Sequence, residues 1–101
     1  MVDISDKAIV LIDKLFSSDD DKELAVLLLV EDCGNNLPFC EKMSIEELDR
    51  FRFAAIKISN GNIELLEKAT RLAKIDWRDL LVWAGFATDI NAHIVWANTI
   101  Q

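Results

Sequence analysis

A chain can turn back on itself only where its residues allow it, and this one offers few such places: Gly34, Gly61, Gly85 and Pro38 are its only glycines and proline in 101 residues. Sparse punctuation implies long elements, which favours helices over the many short strands of a sandwich. The apolar spacing agrees and predicts about six helices, at approximately 4–16, 20–32, 45–59, 63–75, 77–84 and 89–99.

Each helix has a reason in its own residues. Ile4, Ala8, Leu11, Ile12 and Leu15 fall on one face, opposite Asp6, Lys7, Asp13 and Lys14. Ser17-Ser18 followed by Asp19-Asp20-Asp21 offers a cap and negative charge to a second helix. That acidic run lacks the alternating ligands and central glycine of a calcium loop, so it reads as a cap rather than a metal site. Leu24 to Val30 is apolar without a break. A buried strand would also fit this run, but the upstream caps and the lack of alternation favour a helix, placed in the middle of the fold. Gly34 or Asn35 can stop it in the left-handed conformation, and Pro38 forbids continuation.

Ser44 and Glu47 match a capping box for the third helix. Asn60-Gly61-Asn62 breaks the chain again, with Gly61 supplying positive φ and Asn62 capping a fourth helix. Leu65, Leu66, Ala69, Leu72 and Ala73 stripe that helix, which pairs with the third as a hairpin. Asp76 caps a fifth, Gly85 stops it, and Thr88 or Asp89 caps the last. The tail from Asp76 to Ile100 holds all three tryptophans and the single histidine. We expect the earlier helices to shelter it, with Trp77 and Trp83 in the core and Trp96 available as a contact surface.

One core fits this length, so residues 1–101 read as a single all-α, bundle-like domain. The formal charge of −7 opposes binding to nucleic acid, which depends on cations neutralising phosphates, and suits a basic protein partner. The opening residues carry no basic n-region or apolar h-region, and the longest apolar run is far short of the ~20 residues of a membrane helix. The expected location is the cytoplasm. Cys33 and Cys40 form no disulfide framework and are expected to stay reduced there.

The run Asp76-Trp77-Arg78-Asp79-Leu80-Leu81, then Ala84-Gly85-Phe86, Asp89, Ala92-His93 and Trp96, resembles the C-terminal pattern of short bacterial helical proteins to which no activity is attached. The likeness covers about the last third of the chain, extending weakly back to Arg52-Phe53-Ala54-Ala55. It implies a bacterial cytosolic origin and no mechanism.

Three groups of residues invite a chemical reading. Asp89 and His93 stand one helical turn apart, where a carboxylate could orient an imidazole as a general base. The plainer alternative makes Asp89 a cap and His93 a packed ring, and no nucleophile accompanies the pair. Arg52 projects from a largely apolar face between Leu48 and Ala55. It can clamp an anion, pair with Asp76, Asp79 or Asp89, or snorkel outward. Cys33, Cys40 and His93 supply only three zinc ligands at an unsuitable spacing, so neither a metal nor a cofactor is expected. Trp96 sits on a helix apolar around more of its girth than one contact needs, which suggests a homodimer through the C-terminal helix. The preferred reading is a small acidic, non-enzymatic protein-interaction or regulatory module. The alternative is a ligand-binding or enzymatic domain in which Arg52, Asp89 and His93 converge.

Overall fold

The computed structural model describes residues 4–33 and 44–100. Among them all regular structure is helical: α1 (Asp6–Leu15), α2 (Asp19–Asp32), α3 (Ile45–Ser59), α4 (Ile63–Ile75), α5 (Trp77–Ala84) and α6 (Ala92–Thr99). The chain is an all-α bundle. None of the described helices is long and apolar enough to cross a membrane. The expected stop at Gly34 or Asn35, the Pro38 break and Cys40 lie outside the described residues.

Most helix starts follow from one side chain each. Ser18 accepts from the Asp21 N–H at 3.1 Å, with Asp19, Asp20 and Asp21 in the first turn of α2. Ser44 and Glu47 form the reciprocal box at the start of α3, both bonds at 3.2 Å. Asn62 accepts from Glu64 and Leu65, and Asp76 from Arg78 and Asp79. α1 begins at Asp6 rather than Ile4 because the Ser5 hydroxyl accepts from Ala8 N–H and so becomes the cap.

The start of α6 corrects the sequence reading. The Asp89 carboxylate turns onto Asn91 N–H at 2.8 Å, closing a local turn instead of capping a helix. The helix then begins only at Ala92, and its N-cap Asn91 makes no side-chain capping bond.

The middle of the fold belongs to α3, not to α2. On α2 only Ala25 and Leu29 are buried, and Leu24 and Leu27 are exposed. α3 packs against α1, α4, α5 and α6 and buries Leu48, Phe51, Phe53, Ala54, Ala55 and Ile56. Ala54 and Ala55 let neighbouring helices come close on both sides.

The cationic groups of α3 are bonded to the ends of its neighbours. Arg52 Nε donates to the Cys33 carbonyl at the end of α2 at 3.1 Å, and Lys57 Nζ to the Ala84 carbonyl at the end of α5 at 2.7 Å. Arg50 Nη2 reaches the Phe86 carbonyl just beyond α5 at 3.0 Å. Neither α2 nor α5 has a basic residue in its own last turn, so α3 supplies the cations that their carbonyl ends favour. Asp49, also buried, accepts from the Ser5 hydroxyl at 2.8 Å and ties α3 to α1.

The α3–α4 turn is tight. Asn60 and Gly61 both take left-handed backbone, with φ of 46° and 84°. Gly61 lies against the Leu15 carbonyl at the end of α1, so close that a Cβ there would overlap it.

Candidate functional site

α6 docks on the bundle through aromatic edges. His93 meets Phe53 with ring centroids 5.5 Å apart and Phe86 at 6.3 Å. Trp96 meets the same two rings at 6.5 and 6.0 Å. The ammonium of Lys57 sits 5.0 Å from the centre of the Phe86 ring. Trp96 is therefore a half-buried packing residue. Trp77 is also half-buried, in a T-shaped contact with Phe51 whose ring centroids are 5.8 Å apart.

Trp83 departs from expectation, being 53% exposed. The buried stripe of α5 runs through Leu80, Leu81 and Ala84, and Trp83 points roughly a third of a turn away from its centre. The tail is thus not uniformly sheltered.

The three residues expected to converge occupy three different settings. Arg52 is 1% exposed and bonded to Cys33, Asp89 is exposed and bonded to the Asn91 backbone, and His93 lies among rings. Asp76 and Asp79, offered as partners for Arg52, are exposed at the start of α5. Within its own helix the Arg52 charge acts on Asp49 and favours the ionised carboxylate.

What His93 does meet is Arg50, which sequence reading passed over. Two residues along a helix are about 200° apart around it, so Arg50 faces α6 while Arg52 faces α2. The spacing Glu46–Arg50 was the available signal, since residues four apart share a face. Glu46, Glu47, Arg50 and Phe51 form one wall of a cleft of about 290 Å³. The other wall is Ile90, Asn91 and His93 from the turn into α6.

Two residues of this lining each carry a fully buried side-chain nitrogen without a hydrogen bond of good geometry among the described residues, Arg50 Nε and His93 Nδ1. His93 is 6% exposed, and this burial lowers its pKa below the usual 6.5. The nearby Arg50 charge pushes the same way, and a loose hydrogen-bonding contact of the ring with the Ile90 backbone, short of good geometry, pulls against both. A histidine that resists protonation when folded binds fewer protons than the unfolded chain as pH falls below 6.5. Stability is expected to be full above that pH and to decline as the pH drops through the folded pKa. Unfolding of His93→Gln followed beside the parent chain should lack this component. An imidazole titrating at or above 6.5 by NMR would refute it.

Among the described residues no group of three or more His, Cys, Asp or Glu side chains is placed to hold a metal ion. Comparison with protein-family models, curated protein sequences and solved structures finds no match to this chain.

Proposed function

We propose that this chain is a non-enzymatic protein-interaction module that pairs with a second copy of itself through the outer face of α6. The observation carrying this reading is a conjunction of apolarity and missing charge. Residues 90 to 100 contain no Asp, Glu, Lys or Arg, although the chain as a whole has a formal charge of −7. Ile94 and Val95 are 48% and 63% exposed on that segment, and Ile90 one turn earlier is exposed too.

Two copies of an acidic chain repel each other over most of their surface. They can approach without opposing charges at α6, where an isologous contact sets Ile94 and Val95 of one copy against those of the other. Away from this face the negative surface suits basic protein partners.

Sedimentation equilibrium tests the proposal. The parent chain is expected to gain mass with concentration toward twice 11.5 kDa. Ile94→Glu introduces a charge at an exposed position, so it should leave the circular dichroism unchanged and weaken association at least about tenfold. A parent chain that stays monomeric throughout would refute the proposal. So would dissociation by Trp83→Ala with no response to Ile94→Glu.

A further inference from the structure

We infer that α6 is an acid-released element: a proton taken up by His93 undocks the helix from α3, and the apolar face that α6 carries is lost with it. Loss of pairing in acid rests on the reading of Ile94 and Val95 given above; the release itself does not.

α6 is only 8 residues long, and no side chain caps its start. Isolated helices below ~12–15 residues are marginal in water, so this one persists because its inner face is packed. That inner face is small. Its buried residues are His93 and Ala97, and half-buried Trp96 adds its contacts with Phe53 and Phe86. The one titratable side chain of α6 therefore sits in the middle of its attachment to the bundle.

The surroundings of the ring favour its neutral form. His93 packs on Phe53 and Phe86, away from water, and its contact with the Ile90 backbone is loose. Arg50 on α3 is the nearby charge that acts on it, and it repels a second cation. Lys57, over the Phe86 ring, is positive as well. The carboxylates in the neighbourhood are placed for other partners or for water. Glu46 and Glu47 are exposed on the α3 wall, Glu47 bonded to the Ser44 N–H, and exposed Asp89 is turned onto the Asn91 N–H. A buried imidazolium here would lack a partner, and exposure to water relieves it. Releasing α6 does so while α3 keeps its packing against α1, α4 and α5. Once free, so short a segment does not hold its helix, and Ile94 and Val95 no longer stand side by side.

Amide hydrogen exchange, followed by NMR between about pH 5 and about pH 7.5 where histidine titrates, tests the release. Opening at Ala97 on α6, corrected for the intrinsic exchange rate, is expected to rise about tenfold per pH unit between 6.5 and the lower folded-state pKa of His93. Ala55 on α3 should keep its protection throughout. Sedimentation should show the paired chain at the upper pH and the 11.5 kDa monomer at the lower. His93→Phe keeps a ring against Phe53 and Phe86 but takes up no proton, so Ala97 exchange and pairing should both lose their pH dependence. Arg50→Gln removes the adjacent cation, and should move the titration of the His93 ring upward and shrink the response of Ala97. Protection lost together at Ala97 and Ala55, or opening of Ala97 in acid that persists in His93→Phe, would overturn the proposal. A parent chain monomeric at both pH values would refute the pairing and leave the release to be decided by Ala97. A pair that survives in acid while Ala97 opens would refute the link between His93 and the paired face.

Discussion

Alanine at position 61 is expected to destabilise the fold by about 3 kcal/mol or more, far beyond what one added methyl usually does. Two effects combine. The backbone φ of +84° is one that a residue with a Cβ adopts at roughly 1–2 kcal/mol. The new Cβ would also overlap the Leu15 carbonyl oxygen, which is main chain at the end of α1 and cannot swing aside as a flexible side chain would. Relief requires α1 to separate from the α3–α4 turn, at the ~1–3 kcal/mol typical of overpacking.

Gly85 provides the control. Its φ of +80° is nearly the same, but the nearest atom to an added Cβ is Lys57 Nζ at 3.6 Å, an ordinary contact. Gly85→Ala should therefore lose only the backbone component, about 1–2 kcal/mol. Urea unfolding of the two variants measures the difference directly. Equal losses would show that the α1 contact contributes nothing to the behaviour of position 61.

That contrast also marks how far the sequence could be read. Gly61 and Gly85 were legible as left-handed positions because a turn is a local event decided by a few neighbouring residues. The same holds for the caps at Ser18, Ser44, Asn62 and Asp76, where donor and acceptor lie two or three residues apart. The overlap with Leu15 was not legible, since it depends on where a helix 46 positions earlier ends in space.

Burial failed for the same reason. Hydrophobic content placed α2 at the centre, but the central helix is α3, whose Asp49, Arg50, Arg52 and Lys57 make it look half polar. Their bonds run to residues 19 to 44 positions away, so composition alone could not reveal that they are satisfied. His93 was singled out correctly as odd, but its arginine was misassigned. Arg52 attracted notice by projecting from an apolar face, and the cleft is formed instead by Arg50, which looked like an ordinary surface residue opposite it. Trp96 and Trp83 exchanged roles because both lie on short helices whose apolar residues cover most of the circumference. Only the position of Phe53 and Phe86 decides which indole is covered.

Arg52→Met is expected to destabilise the chain by about 3–5 kcal/mol, the range for removing one member of a buried charged pair. The aliphatic replacement fills much of the volume, so the loss is mainly electrostatic. It removes the Nε–H bond to the Cys33 carbonyl and the positive charge at the end of α2, which has no basic residue in its own last turn. It also leaves Asp49 without the cation that favours its ionised form. Burial raises the Asp49 pKa above the usual 3.8, while the Ser5 hydrogen bond and Arg52 both hold it down. Without Arg52 the folded-state pKa climbs further. Above 3.8 the folded chain then keeps a proton that the unfolded chain has released, so stability falls as pH rises through that wider window. The deficit of Arg52→Met should accordingly be smallest in acid and grow toward neutrality. Asp49→Asn retains an acceptor for Ser5 but has no charge to strand, so Asp49→Asn combined with Arg52→Met should lose less than the sum of the single variants. Against a typical total of about 5–15 kcal/mol, the single Arg52 variant is close to the margin of folding. Additive losses, or a deficit unchanged by pH, would confine the role of Arg52 to the end of α2 and remove Asp49 from the account.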